Sequence, residues 1–523
     1  IYDDIDKLEW LPAIEEKYEV TGDGKLYQAG ISENGNYVTK YLGGIAILQA
    51  PFFALGHVIA KFTDYPADGF SSPYQWALAF GAFCYAMLSL FGLRHILLRY
   101  FDDKPVALTL LLLFLASNVL QYISIDSAMS HVYILPLYVL LIYGTMKWHE
   151  EPAMKWVAMV GLLMGVAVIS RPTEALMVLI PILWNTHSKE SKKAKWALVK
   201  ANMKHVYVAG VFGVLGILPQ LIYWKINAGT WIFNVGSKWV FANPWFRVLF
   251  GFTNGWFIYT PVAILFIVAL FYIKKFPFRY AVITFCILNI WVVIAWFDWR
   301  YGATYSTRAL CQSYPILALA LGALIQRSYK GAMKYVWVLG SLVLIGVNLF
   351  QIPQYNSTIL FQRDMSAYYY SGVFLDADPT PLDMARLDNS EELSSESGYI
   401  KTEIAEVSNL KLAANANEAA NLSSKILPTL QGDCWLKIEG VLKIDSGYHS
   451  VYIYAEVYGK DSVKYAKVRL HNPISTAGEA NPYMFYIEVP QELEANKVNV
   501  YTSSEGRLVG EADSFKVTRL VKD

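Results

Sequence analysis

The chain has 523 residues, 55% of them hydrophobic, 15% aromatic and only 17% charged, against roughly 25% charged in an ordinary soluble domain. With that apolar content and a formal net charge of +1, a disordered chain, a collagen-like fibre and a nucleic-acid binder are excluded. The charge is unevenly spread: residues 1–41 sum to −5, residues 42–352 to +14 and residues 353–523 to −8.

The acidic stretch 1–41 reads as a first outer loop. Residues 43–60, with Pro51 in their midst, are expected as a helix lying in the outer membrane interface. Apolar runs near 76–98, 105–124, 130–147, 155–170, 173–184, 206–224, 256–274, 280–297, 310–326 and 335–352 predict about ten spans, since a helix needs about 20 apolar residues to cross a bilayer. Alternate loops hold most of the lysine and arginine, with Lys189, Lys192, Lys193, Lys195, Lys200 and Lys204 in the richest of them. The positive-inside rule therefore puts those loops in the cytoplasm and both acidic ends outside, with the lysines touching lipid headgroups. Because Ile1 is then already outside, a further N-terminal span is expected ahead of it. Arg171-Pro172-Thr173 interrupts the run 155–184, which predicts two short helices meeting at an outer turn.

Beyond Pro353 the hydropathy falls. Residues 353–432 read as an outer linker with a short helix at 404–425. From 433 the apolar period becomes two, in runs such as CWLKIEGVLKI and HSVYIYAEVYG, and about six strands predict a small β-sandwich over 433–523. The fold class is thus an all-α polytopic membrane bundle with a C-terminal extramembrane β-sandwich. Cys84, Cys286 and Cys311 lie in apolar runs and Cys434 stands alone, so there is no disulfide framework and no CxxC pair.

No P-loop, dinucleotide fingerprint, GxSxG elbow or HExxH helix occurs. Polar residues of the membrane piece gather instead at its outer edge: Asp126 to His131, Arg171 to Glu174, Asp298-Trp299-Arg300-Tyr301 and Arg308, facing the same side as Asp3, Asp4 and Asp6. Ionisable groups at a membrane edge are costly unless paired or facing a wet cavity. Each has a plain structural reading: an ion pair at Arg171 and Glu174, a backbone contact at His131, an interfacial charge network at Asp298, Arg300 and Arg308, a solvated acidic terminus at Asp3, Asp4 and Asp6. Together they suit transfer of a sugar from a lipid phosphate, in which a carboxylate takes the acceptor's proton and arginines hold the leaving phosphate. A polyprenyl chain would deliver the donor through the bilayer, so no nucleotide-binding fold is needed.

The chain resembles the GT-C superfamily of polytopic glycosyltransferases, which includes protein O-mannosyltransferases and the aminoarabinose transferase of lipid A. The likeness covers most of 1–352. Asp3 or Asp4, ahead of Leu11-Pro12, occupies the place of the family's first-loop acid, and Lys40-Tyr41-Leu42-Gly43-Gly44 looks similar to its lysine before a juxtamembrane helix, although the family's double proline is absent. Met129-Ser130-His131, Arg171-Pro172-Thr173 and the loop Trp296 to Arg308 resemble bacterial members.

The resemblance implies an inverting transfer of a sugar from a polyprenyl-phosphate donor to a hydroxyl of a protein, lipid or glycan acceptor. Asp3 or Asp4 would be the catalytic base. Lys40, Arg171, Arg300 and Arg308 would bind the phosphate, and Tyr41, Asp126, His131, Glu174, Asp298 and Tyr301 the substrate. It places the protein in the bacterial inner membrane with both ends in the periplasm. A divalent cation on Asp3, Asp4 and Asp6 is left open. The β-domain aromatics Trp435, Tyr448, Tyr452, Tyr454 and Tyr458 suit either sugar stacking or an ordinary sheet. Two other readings are a non-catalytic membrane subunit whose β-domain holds a partner or glycan, and a lipid or sugar transporter, which would need charges at the bilayer midplane.

Overall fold

The computed structural model describes residues 29–233, 238–241, 243–302, 304–361, 363–415, 417–426, 433–446, 451–470, 479–504 and 508–523. Asp3, Asp4, Asp6 and Tyr448 lie outside the described residues. The chain divides into a helical unit reaching to residue 352 and a β-rich unit that holds residues 353–523.

The helical unit opens on a hairpin of β1 (Ala29–Ile31) and β2 (Tyr37–Thr39). Its first helices are α1 (Gly44–Lys61), α2 (Ser72–Leu97), α3 (Asp103–Leu115), α4 (Val119–Ser124), α5 (Ser130–Glu150) and α6 (Met154–Ser170). A 3-10 turn, Pro172–Val178, leads into α7 (Leu179–Leu183), α8 (Lys189–Ala201) and α9 (Met203–Ala228). Then come α10 (Trp245–Phe250), α11 (Trp256–Tyr259), α12 (Val262–Ala269) and α13 (Arg279–Ile294). A second 3-10 turn, Arg308–Ser313, runs into α14 (Tyr314–Ser328), and α15 (Met333–Asn356) closes the series.

Five helical stretches have the length and apolar composition to cross a membrane: α1, α2, α9, Arg308–Ser328 and α15. Helix α1, the run expected in the interface, is unbroken through Pro51 for 18 residues. Several of the ten expected runs are realised as shorter or broken helices. The run 105–124 breaks after Leu115, where Ser117 Oγ accepts the Val119 amide at 3.2 Å. The run 256–274 breaks at Thr260-Pro261, since proline has no amide proton to continue a helix.

Helix α14 is almost wholly buried, whereas α1, α9 and α15 present exposed apolar residues such as Val211, Leu215, Leu339 and Leu342, as lipid-facing helices do. Helices α6 and α9 meet backbone to backbone: a Cβ added at Gly161 would lie 2.2 Å from the Ala209 carbonyl, and one at Gly165 2.3 Å from that of Gly213. Lys195 departs from its expected place on the headgroups. It is buried, and its ammonium donates to the carbonyls of Pro181, Ile182 and Trp184 at 2.6, 2.6 and 2.7 Å, closing the C-terminal end of α7 as a cation there should.

The β-rich unit begins with α16 (Ala367–Val373) and α17 (Pro381–Ala385). Eight strands follow: β3 (Tyr399–Ala414), β4 (Ala419–Ile426), β5 (Cys434–Ser446), β6 (Val451–Tyr458), β7 (Val463–Arg469), β8 (Ala480–Val489), β9 (Lys497–Ser504) and β10 (Leu508–Lys522). They form two sheets of order β3-β10-β5-β8 and β4-β9-β6-β7. Strands that alternate between sheets in this order make a jelly roll.

The two sheets bury Leu436, Ile438, Ile453, Val457, Phe485, Val500 and Phe515 between them. The helix expected at 404–425 is instead the strand pair β3 and β4, each held at a sheet edge by antiparallel pairing with β10 or β9. The stretch before it is folded too: Ala385 packs into the sandwich core, and Arg469, 7% exposed, grips Asp388 with its Nε at 2.7 Å and Nη2 at 2.5 Å.

Candidate active site

The first turn of α5 carries His131, and Tyr138 follows seven residues later, two turns along the same helix face. The extended backbone of Arg171 ends α6, and Glu174 lies in the tight turn beyond it, where its amide donates to the Arg171 carbonyl at 2.9 Å. Proline at the first position of that turn suits its fixed φ and missing amide proton. The second 3-10 turn brings Arg308 and Gln312.

These residues build one buried chain of hydrogen bonds. His131 Nδ1 stands 2.9 Å from Gln312 Oε1, and Gln312 Nε2 donates to Glu174 Oε1 at 3.0 Å. The Tyr138 hydroxyl donates to Glu174 Oε2, and Thr173 Oγ1 to Glu174 Oε1 at 3.3 Å. Glu174 is only 1% exposed and His131 3%, so both obey the rule that a buried polar group must be bonded. The Tyr122 ring packs at 5.0 Å on the His131 ring, and its hydroxyl donates to the Tyr305 carbonyl at 3.0 Å.

Around this chain stand the charges. Arg171, Glu174, Asp298 and Arg308 all act electrostatically on Tyr301, and both arginines act on His131. Tyr301 is buried and donates to the Val293 carbonyl at 2.6 Å. The loop that carries it is sharply bent, with left-handed backbone at Tyr301 (φ 56°), Gly302 (φ 64°) and Ser306 (φ 58°). Non-glycine residues hold that conformation only where the surroundings enforce it. Here Asn254 donates to the Arg300 carbonyl at 2.6 Å and Thr307 to the carbonyls of Val248 and Asn254 at 3.2 Å. Arg308 Nη1 also reaches Met129 Sδ at 3.4 Å.

Six of the residues singled out in the sequence, His131, Arg171, Glu174, Asp298, Tyr301 and Arg308, therefore converge from three separate segments. Four others sit differently. Asp126 accepts from Gln121 at 3.1 Å, one step behind Tyr122. Arg300 is exposed and lies over the Trp299 ring at 5.2 Å. Lys40 is exposed with its ammonium 5.9 Å from the centroid of Tyr41, itself 61% exposed. Gln312 and Tyr138 were missed in the sequence. A glutamine near the start of the apolar run 310–326, and a tyrosine seven residues after His131, were the available signals.

Chemically the site offers two guanidiniums, which suit a phosphate's oxygens, beside a carboxylate whose two oxygens are already filled by three donors. Among the described residues no group of three His, Cys, Asp or Glu is placed to hold a metal ion.

No family model and no curated protein matches the chain. Among solved structures it is similar to the oligosaccharyltransferase of Archaeoglobus fulgidus in its apo form, at 10% identity and a TM-score of 0.37 over 73% of this chain and 56% of that one. It is also similar to the arabinosyltransferase EmbB of Mycobacterium smegmatis, at 10% identity and a TM-score of 0.33 over 92% of this chain and 64% of that one. The infectious bursal disease virus Gt strain is similar over 25% of this chain, at 11% identity and a TM-score of 0.21, and the chain spans 35% of that one.

Proposed function

We propose that the protein is an integral membrane glycosyltransferase that moves a sugar from a polyprenyl-phosphate donor to an acceptor hydroxyl, with inversion, on the periplasmic side of a bacterial inner membrane. The observation that carries this reading is that Arg171, bonded through its carbonyl to Glu174, and Arg308, on the same turn as Gln312, flank the buried chain Glu174–Gln312–His131 within a unit rich in apolar helices. Two half-buried guanidiniums beside neutral hydrogen-bonding groups suit a ligand that joins a phosphate to a polyol, and a lipid-linked sugar is such a ligand.

In this reading the acceptor hydroxyl attacks the anomeric carbon, Asp3 or Asp4 takes its proton, and the polyprenyl phosphate leaves toward Arg171 and Arg308. Lys40 and Arg300 guide the phosphate at the rim. Tyr41, Asp126, Asp298, Tyr301 and His131 line the sugar's path. Glu174, with both oxygens engaged, acts through Gln312 and not on the substrate.

The test is sugar transfer by the protein in proteoliposomes supplied with polyprenyl-phosphate-linked sugars. Arg171→Ala and Arg308→Ala should each weaken donor use by about ten- to a hundredfold, the loss of a hydrogen bond to a charged group, and leave acceptor KM near the parent value. Asp3→Asn or Asp4→Asn should abolish turnover. Parent-level donor use by both arginine variants would sink the reading.

A further inference from the structure

We propose that Nε2 of His131 is held as an acceptor-only atom that takes a hydrogen bond from a hydroxyl of the bound sugar, with Gln312 and Glu174 as the positioning residues that enforce this. The inference rests on the glycosyl-transfer reading above.

The argument is one of hydrogen-bond polarity. A carboxylate only accepts. Glu174, filled by Tyr138 and Thr173, therefore compels the Gln312 amide to present its NH2 toward it, as the 3.0 Å contact has it. The other end of that amide is then its carbonyl oxygen, a pure acceptor, and it faces His131 Nδ1 at 2.9 Å. Nδ1 must carry the proton. A second, charging proton on so buried a ring is costly, so the imidazole carries one proton and the lone pair sits on Nε2.

His131 is only 3% exposed and its Nδ1 is engaged by Gln312, while Nε2 is not among the enclosed polar atoms left without a partner and so is reachable from outside. A reachable acceptor can take a hydrogen bond from a ligand hydroxyl. A phosphate oxygen has no proton to give and would be repelled, whereas a sugar hydroxyl can donate. The opposite tautomer would have made His131 a third phosphate donor, and Glu174 forbids it.

The tautomer can be read directly from the 15N shifts of a histidine-labelled protein in nanodiscs, with His131→Gln used to assign the signal. The parent should show Nδ1 protonated and Nε2 bare. Glu174→Gln, nearly isosteric, replaces the acceptor-only end with an amide that can also donate, and an Nε2–H population should appear. Gln312→Met should do the same. A protonated Nε2 in the parent, or an unchanged single tautomer in Glu174→Gln, would overturn the proposal while leaving glycosyl transfer intact.

A second measurement uses bare polyprenyl phosphate as the probe. Its binding should shift arginine side-chain signals and leave Nε2 unprotonated; protonation of Nε2 on its addition would overturn the proposal. If no arginine signal moves, the glycosyl-transfer reading fails and the tautomer result still stands. In the transfer assay Gln312→Met should raise KM for the glycosylated donor about tenfold and leave inhibition by bare polyprenyl phosphate at the parent level. Equal loss of both would make Gln312 merely structural.

Discussion

At the scale of single residues, the site shows which side chains announce themselves in a sequence. His131, Arg171, Glu174, Asp298 and Arg308 stood out because charge or a ring nitrogen in apolar surroundings carries a desolvation cost that must be met somewhere, and Tyr301 was drawn in by its charged neighbours Asp298 and Arg300. Gln312 and Tyr138 did not, since a neutral amide or a phenol inside an apolar helix has too many ordinary uses; only the fold shows that they join Glu174 to its neighbours. The same contrast holds in the β-rich unit. Arg469 and Asp388 bury one another, with 6% and 5% of their side chains exposed. Arg469→Ala leaves Asp388 as an unpaired buried charge and should destabilise that unit by about 3–5 kcal/mol, seen as faster amide exchange in β7 and β8.

Glu396 gives a pH prediction at the same scale. Lys401 first, then the Tyr486 hydroxyl and Lys437, hold its carboxyl down from the usual 4.5 to about 2. A carboxyl whose folded value is depressed adds stability above its unfolded value and loses it below. The contribution should be complete above about pH 4.5 and fade as the pH falls toward 2. Amide exchange across β8 should therefore accelerate over that window in the parent, and with a smaller slope in Glu396→Gln.

At the scale of elements, what the sequence hid was pairing. Strands β3 and β4 are rich in Ala, Glu, Lys, Asn and Ser, residues that read as helix or linker, and most of β3 faces solvent. What makes them strands is the ladder to β10 and β9, and edge strands of this polar kind are how sheets discourage further pairing. The broken helices α3 and α12 were hidden for the opposite reason, since hydropathy registers composition and not the hydrogen bond lost at Pro261. The contact of α6 with α9 was invisible as well, because glycine has no side chain to form a pattern. Gly165→Ile must push those backbones apart. Unfolding in detergent should occur at lower temperature than in the parent by the equivalent of about 1–3 kcal/mol or more, the usual cost of overpacking, whereas Gly210→Ala, with open space around it, should be neutral.

At the scale of the whole molecule, the division into an apolar helical unit and a separate β-rich unit was legible from hydropathy and charge, and the jelly-roll order of the strands was not, because it depends on which strand crosses to which sheet. The charge map also makes an orientation prediction. In a background lacking Cys84, Cys286, Cys311 and Cys434, an impermeant thiol reagent should label Lys192→Cys only from the cytoplasmic side. Lys467→Cys and Trp299→Cys should label only from outside. Labelling of the two sets from the same side would overturn the arrangement.

The buried chain from Tyr138 to His131 also bears on biosynthesis. Glu174 and Gln312 are 138 residues apart in sequence, and ribosomes add about 5–20 residues per second. For roughly seven to thirty seconds at those rates, a nascent chain carries a carboxylate destined for burial whose amide donor has not yet been made. Nascent chains halted before residue 312 should therefore be the ones that quality-control proteases remove, and the late arrival of Gln312 becomes a checkpoint for completed assembly.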